Sequence, residues 1–172
     1  MPHDQLDLPR RGSENGPRVP LTRAAIALGS NLGDRRGHLD WAIAQLTARL
    51  AGLRASSLIE SAPAGVPDPQ PDYLNGVVTG ETDLPPDALM QLLLGLENAR
   101  GRVRRGFRSP RTLDLDLILY GDLICNEAGL IVPHPHFRER RFVLEPLAEV
   151  AGDWTDPVTG QTVEELLSSL MK

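Results

Sequence analysis

The sequence predicts an α+β fold, a ferredoxin-like βαββαβ sandwich with helices on one face of an antiparallel sheet, plus an added small hairpin and C-terminal helices. Three observations predict it. Apolar runs typical of strands alternate with two helical repeats in the order strand, helix, strand, strand, helix, strand. Two closely spaced turns then indicate a hairpin, and the C-terminal residues return to helical spacing.

The first half of this pattern contains two strands and a helix. An apolar run at 24–28 leads into the Gly-Ser-Asn turn at 29–31 and predicts the first strand. A helix with Asp34 as its N-cap follows, because apolar side chains recur at helical spacing. These side chains are Leu39, Ala42, Ile43, Leu46 and Leu50. Residues 53–61 predict the second strand, and the proline-dense segment 62–72 predicts a loop.

The second half repeats the arrangement and extends it. Residues 73–82 predict a third strand, and Pro85-Pro86 opens a second helix, whose apolar face carries Leu89, Leu92, Leu93 and Leu96. An arginine-rich loop leads into a strand at 112–120. Turns at 121–122 and 126–129 predict the hairpin, and the final helices are predicted at 142–150 and 163–171.

Composition limits the classes of function. At 172 residues and 41% hydrophobic content, we expect a single domain over residues 23–172 and a disordered N-terminal arm at 1–22, where four prolines interrupt the chain. No apolar run approaches the ~18 residues of a membrane span, so we expect no membrane contact. Cys125 is the only cysteine, which excludes an internal disulfide and suits a reducing cytoplasm. The net charge of -5 argues against a general nucleic-acid binder.

Two aspartates on the predicted fourth strand suggest a metal site. Asp114 and Asp116 are two residues apart, so their side chains share one face of a strand and their Cα atoms are roughly 7 Å apart. The leucines that alternate with them face the core. Two adjacent carboxylates repel unless a cation lies between them. Mg²⁺ takes one or two carboxylates and completes its shell with water and phosphate oxygens. The alternative is a pair of solvated acids on an exposed strand.

An arginine cluster precedes this strand. Six arginines fall within residues 100–111. Guanidinium groups bind phosphate oxygens through paired hydrogen bonds. A cationic loop beside an acidic pair is the set of groups that phosphoryl transfer requires. The alternatives are a solvated basic loop or a patch that contacts RNA. His134, in Val-Pro-His-Pro-His at 132–136, is expected to contact phosphate or ribose rather than zinc, since no cysteine accompanies it.

These motifs resemble those of a known family. The sequence resembles the hydroxymethyldihydropterin pyrophosphokinase family over residues 23 to 150, with four blocks in the same order. The blocks are Gly-Ser-Asn-Leu at 29–32, Gln-Pro-Asp-Tyr-Leu-Asn at 70–75, Pro-Arg-Thr-Leu-Asp-Leu-Asp at 110–116, and Val-Pro-His at 132–134 leading to Arg-Arg-Phe-Val-Leu at 140–144.

The resemblance implies an activity. A member of this family is an ATP-dependent enzyme of tetrahydrofolate biosynthesis that transfers pyrophosphate from ATP to 6-hydroxymethyl-7,8-dihydropterin, giving AMP and the pterin diphosphate. The pterin hydroxyl would attack the β-phosphorus of ATP in line. The implied cofactor is Mg²⁺, as two ions held by Asp114 and Asp116. We expect ATP and the reduced pterin as the partners, a monomer, and no nucleic acid.

The resemblance also implies residue roles. Asn75 would hydrogen-bond the pterin, whose ring would stack between Tyr73 and Phe142. The implied pterin-binding set is Ser61, Ala62, Ala64, Tyr73, Asn75 and Phe142. The implied ATP-binding set is Glu97, Arg104, Leu117, His134 and Arg140. The implied catalytic set is Arg102, Arg111 and Asp116, with Asp116 the nearest candidate for a base.

The chain departs from the family pattern in the arginine loop. The family usually has Arg-Trp-(Gly/Ala)-Pro-Arg, whereas Arg-Ser-Pro-Arg at 108–111 is one residue shorter and lacks the aromatic residue. Phe107 is a candidate substitute. A catalytically weakened, ATP-binding homologue is therefore one alternative. A ferredoxin-like nucleic-acid-binding module is another, although 4% aromatic content and an acidic balance argue against it.

Overall fold

The computed structural model describes residues 20–63, 69–101 and 110–172. Its elements follow the predicted order with small shifts of their ends. In chain order they are β1 (Thr22–Ser30), α1 (Arg35–Thr47), β2 (Ala51–Ala55), β3 (Ile59–Ser61), β4 (Tyr73–Thr82), α2 (Pro86–Ala99), β5 (Asp114–Tyr120), β6 (Cys125–Glu127), β7 (Leu130–Val132), the 3-10 turn Phe137–Glu139, α3 (Arg141–Ala151) and α4 (Val163–Leu170).

The main sheet is antiparallel and confirms the predicted α+β class. Its strand order is β2-β4-β1-β5, and β3 also pairs with β4. Strand β1 is central and pairs along its length with β4 on one side and β5 on the other. The structure describes no further strand beside β5, so this strand forms one edge of the sheet. The predicted hairpin is the separate two-stranded sheet β6-β7.

Helices cover both faces of the sheet. Alternate side chains of β1 point to opposite sides: Ile26 and Leu28 pack with apolar residues of α1 and α2, whereas Ala25 and Ala27 pack with those of α3 and α4. The crossover helices α1 and α2 thus share one face, as the βαββαβ pattern predicts, and the C-terminal helices cover the other. Burial on both sides explains why β1 reads as a continuous apolar run.

The strand predicted at 53–61 is divided into β2 and β3. The two segments pair with different parts of β4, and Ser56 lies between them. Ser56 Oγ accepts a hydrogen bond from the main-chain N–H of Val77 at 2.9 Å, in a position where a strand would offer its own carbonyl. Next to it, the main-chain N–H and the hydroxyl of Ser57 both donate to the Glu149 carboxylate on α3. The main-chain N–H of Ser56 still donates to the Val77 carbonyl at 2.9 Å, so side-chain hydrogen bonds replace only part of the regular ladder at this point.

Local signals set several element ends. Asp34 caps α1 as predicted, accepting a hydrogen bond from the N–H of Gly37 at 3.1 Å. Helix α2 begins at Pro86, as the Pro85-Pro86 pair predicts. The described residues contain no helix long and apolar enough to cross a membrane.

Candidate active site

The aspartate pair lies on the edge strand β5, on the face covered by α3. Asp116 pairs across to Ala27 of β1, which packs in the α3-side core, and Asp114 lies two residues away on the same face. Both side chains are partly exposed. The pairing of β5 with β1 thus puts both carboxylates on the same face of the sheet, as the sequence predicts.

The peptide between the two aspartates is held from the other side of the sheet. Glu97 Oε2, on α2, accepts a hydrogen bond from the main-chain N–H of Leu115 at 2.9 Å. Glu97 is 2% exposed. It was predicted to bind ATP, and the structure places it beneath the strand that carries the carboxylates. Its hydrogen bond satisfies an edge N–H and fixes the main chain of the site.

The electrostatics of the pair favour a cation. Burial, followed by the charges of Asp114 and Glu97, raises the pKa of Asp116 to about 7, and Arg140 and Arg111 act in the opposite direction. Like charges around a partly buried carboxylate therefore outweigh the two arginines. A cation bound between Asp114 and Asp116 would remove this penalty.

The donor set fits magnesium bound together with a polyphosphate. Within residues 20–63, 69–101 and 110–172, no group of three or more His, Cys, Asp or Glu side chains is arranged to hold a metal. A closed structural site needs such a group, but Mg²⁺ needs only one or two carboxylates when phosphate oxygens and water complete its shell. Asp114 and Asp116 would supply those carboxylates.

His134 and Arg140 stand beside the aspartates. The main-chain N–H of His134 donates to the carbonyl of Ile118 on β5 at 3.0 Å, which anchors the segment after β7 next to the site. Burial, Arg140 and His136 lower the pKa of His134 to about 4, so the imidazole is neutral near pH 7. Its Nδ1 accepts from the N–H of His136 at 3.1 Å, which leaves the proton on Nε2. A neutral Nε2–H donor suits the predicted contact with phosphate or ribose.

A row of residues across the sheet connects the aspartates to the predicted pterin site. Ile59 of β3 pairs with Asn75 of β4, Asn75 with Gly29 of β1, and Gly29 with Asp114 of β5. Strands are about 4.8 Å apart, so Asn75 and Asp114 are separated by roughly 10 Å. Gly29 leaves the surface between them without a side chain. An added Cβ there would lie 3.4 Å from Tyr73 and 3.5 Å from Asn75 Oδ1.

Asn75 is oriented by its own hydrogen bonds. The side chain is 5% exposed, and Nδ2 donates to Ser61 Oγ at 2.8 Å and to the Ile59 carbonyl at 3.2 Å. These bonds turn Oδ1 toward Gly29. Tyr73 shares this face of β4 with Asn75 and pairs across to Ser61 of β3. Three of the six predicted pterin residues therefore meet in one place.

Phe142 approaches from the opposite layer. It is the second residue of α3, and the guanidinium of Arg140 lies 5.8 Å from its ring centroid. Because α3 packs on the face that carries Tyr73, a flat ring could enter between the sheet and the start of this helix. The stacking role of Phe142 stays a prediction, as does the contribution of Ala62, which is exposed after β3.

The sequence singled out the Gly-Ser-Asn turn only as a motif, and the structure gives Asn31 a specific role. Its side chain is fully buried. Oδ1 accepts from the N–H of Arg111 at 2.8 Å, and Nδ2 donates to Gln70 Oε1 at 3.0 Å and to the Pro71 carbonyl at 3.3 Å. The main-chain N–H of Asn31 also donates to the Arg111 carbonyl at 3.0 Å. One residue thus joins the ends of the proline-rich loop and the arginine-rich loop.

Five predicted residues require separate comment. Leu117 is 3% exposed and its side chain packs in the core under α1 and α2. Only its main-chain atoms could therefore make the predicted contact with ATP. Arg102, Arg104 and Ala64 lie outside the described residues, as does Phe107. Their roles remain those that the sequence predicts.

Comparison with known proteins identifies the family of this chain. Residues 25–152 match the family model for 7,8-dihydro-6-hydroxymethylpterin-pyrophosphokinase. A 2-amino-4-hydroxy-6-hydroxymethyldihydropteridine pyrophosphokinase of Synechocystis is 47% identical over 150 residues, covering 86% of this chain and 75% of that protein. The enzyme of the same name in Methylorubrum extorquens is 39% identical over 153 residues, covering 87% and 94%.

A solved structure agrees at the level of the fold. A crystal structure of Plasmodium falciparum HPPK-DHPS with pteroate matches with a TM-score of 0.68 at 12% identity and covers 90% of this chain. The chain spans 41% of that longer protein. At this identity the likeness supports the architecture alone.

Proposed function

Because the chain belongs to the 7,8-dihydro-6-hydroxymethylpterin-pyrophosphokinase family, we propose that it transfers a pyrophosphoryl group from ATP to 6-hydroxymethyl-7,8-dihydropterin. The products are AMP and the pterin diphosphate, an intermediate of folate biosynthesis. The pterin hydroxyl oxygen forms a bond to the β-phosphorus of ATP, and the bond between the β-phosphorus and the oxygen that bridges it to the α-phosphorus breaks. AMP leaves with the bridging oxygen, and the hydroxyl proton passes to a base.

One observation carries the proposal beyond family membership. The row Asn75–Gly29–Asp114 aligns an amide suited to a heterocycle with a carboxylate suited to Mg²⁺, on one face of the sheet. The bare surface at Gly29 lets a substrate cross from one end of the row to the other. A separation of roughly 10 Å matches a bicyclic ring whose hydroxymethyl arm reaches toward the phosphates.

Each residue then has a defined task. Asn75 holds the polar edge of the pterin, and its fixed amide sets the direction of the ring. Asp114 and Asp116 would hold two Mg²⁺ ions, which supply charge neutralisation and orientation of the triphosphate when bound. Arg140 and the neutral Nε2–H of His134 donate to phosphate oxygens. Such preorganised donors stabilise charge that grows on the phosphates during transfer.

The proton of the attacking hydroxyl also needs an acceptor. Asp116 is the candidate base by its position beside the expected phosphate site. Arg102 and Arg111 are assigned to the transferring group itself, because guanidinium groups match phosphoryl oxygens in geometry and charge.

The decisive experiment follows the products. The protein is incubated with ATP, Mg²⁺ and the reduced pterin alcohol, and nucleotides and pterins are separated by chromatography. AMP and pterin diphosphate should appear in equal amounts, and Asp114→Asn and Asp116→Asn should remove most of the turnover. Asp83→Asn, an exposed carboxylate in the turn before α2, is the control and should retain it.

Other product patterns would contradict the proposal. ADP would indicate ordinary monophosphoryl transfer. ATP binding without turnover would identify a weakened homologue, the alternative that the shorter arginine loop suggests. The number of Mg²⁺ ions is a separate part of the proposal, checked by counting bound Mn²⁺ per protein at saturating ATP analogue.

A further inference from the structure

The proposed metal site contains a cation of its own. Arg111 Nη1 lies 3.1 Å from Asp114 Oδ1, and the two side chains are 30% and 23% exposed. The guanidinium is thus bonded to one of the two carboxylates that are expected to hold magnesium.

The main chain of Arg111 is held by two hydrogen bonds, whereas its guanidinium is partly exposed and bonds Asp114. Asn31, which is fully buried, bonds both the N–H and the carbonyl of Arg111, at 2.8 and 3.0 Å. These two bonds hold the Cα in place beside β5. The partly exposed guanidinium can still move by rotation about its side-chain bonds. A change of partner by the guanidinium therefore requires no movement of the main chain beside β5.

We propose that Arg111 is an internal counter-ion that occupies the metal site of the free protein and leaves Asp114 when magnesium enters with ATP. This inference rests on the proposed function, since it takes the aspartate pair as the magnesium site. Mg²⁺ and a guanidinium at the same carboxylate repel each other, so the ion must displace Arg111. Magnesium alone sends the guanidinium into water, whereas Mg²⁺ with ATP gives it phosphate oxygens to bind.

The exchange makes metal and nucleotide binding cooperative. Free Mg²⁺ has to break the Arg111–Asp114 bond without compensation, which weakens its binding to the empty protein. ATP provides the compensation, so each ligand strengthens the binding of the other by the same factor. The same movement brings Arg111 to the phosphates only when the metal is present.

The test measures metal binding without turnover. Mn²⁺ replaces Mg²⁺, and free Mn²⁺ is counted by electron paramagnetic resonance in titrations with and without α,β-methylene-ATP, whose scissile position cannot react. Arg111→Met keeps the length of the stem and removes the charge, so Mn²⁺ should bind the nucleotide-free variant more tightly by on the order of tenfold, the scale of one charged hydrogen bond. The strengthening of Mn²⁺ binding by the analogue should shrink correspondingly.

Two further variants separate this effect from general electrostatics. Arg111→Lys retains a cation and should bind Mn²⁺ nearly as weakly as wild type. Arg141→Met removes one positive charge and one ion pair, with Glu145 at 2.6 Å, on the exposed side of α3, and should also resemble wild type. If Arg111→Met does not fold, the arginine Nε–H resonances of the wild-type protein serve instead. The resonance that is missing from Arg111→Lys should shift with Mg²⁺ plus analogue far more than with Mg²⁺ alone.

The outcome is independent of the pyrophosphoryl-transfer assay. Unchanged or weaker Mn²⁺ binding by folded Arg111→Met, or an equal gain in Arg141→Met, would overturn the counter-ion role even if AMP is produced. Absence of AMP, with the Mn²⁺ behaviour as expected, would reject the proposed reaction and leave the exchange standing.

Discussion

The raised pKa of Asp116 gives a quantitative prediction about stability. The ordinary value of an aspartate is 3.8, and in the folded, metal-free protein burial and the charges of Asp114 and Glu97 raise it to about 7. The folded state therefore binds this proton more tightly than the unfolded chain. The resulting stabilisation is complete below about pH 4 and is lost as pH rises through about 7.

The magnitude follows from the two values. About three pH units at ~1.4 kcal/mol each correspond to about 4 kcal/mol at most, with a slope of up to ~1.4 kcal/mol per pH unit. His38 and His134, whose pKa values are lowered mainly by burial, change stability in the opposite direction, because their folded forms resist protonation. The wild-type curve alone thus mixes both effects. The difference between wild type and Asp116→Asn isolates the carboxylate.

The assay is urea unfolding in EDTA at several pH values between 4 and 8, with unfolding monitored by circular dichroism. The free energy of unfolding of wild type minus that of Asp116→Asn should fall by up to about 4 kcal/mol across this range. The difference between wild type and Asp114→Asn should fall less over the same pH range. This variant removes the charge of Asp114, the second cause of the raised pKa of Asp116, and leaves the larger cause, burial. Asp83→Asn should leave the wild-type slope unchanged. Parallel curves for wild type and Asp116→Asn would refute the electrostatic account of the site.

Three other predictions concern the substrates and the chain termini. Asn75→Leu should weaken pterin binding by roughly 1–3 kcal/mol in calorimetry, because polar groups lose their partner, and an equal loss of ATP affinity would contradict its assignment. Asn31→Ala removes the bonds to Arg111 and Gln70 and should lower kcat/KM for both substrates; an effect on one substrate alone would show that the two loop ends are not joined through this residue. Deletion of residues 1–21, which we propose to be a dispensable arm, should leave the melting temperature and turnover nearly unchanged, and a loss of several degrees would show that the segment packs on the domain.

The sequence by itself determined the features that depend on local periodicity. The period of two along β5 put Asp114 and Asp116 on one face, since neighbouring side chains of any strand alternate. Asp34 and the Pro85-Pro86 pair predicted the starts of α1 and α2, because capping and the fixed proline φ act within a few residues. The four ordered sequence blocks identified the family, which the comparison confirmed.

Only the tertiary structure decided which residues meet across the sheet. The row of Asn75, Gly29 and Asp114 depends on strand order and register, which spacing along the chain does not encode. Asn31 bonds partners 39 and 80 positions away, and no local pattern distinguishes such an asparagine from an ordinary turn residue. Between β2 and β3, Ser57 likewise donates to Glu149, which is 92 residues away. Residues so far apart in the chain can bond only once packing has brought their elements together. The sequence therefore predicted the chemical groups of the site but not the hydrogen bonds that position them.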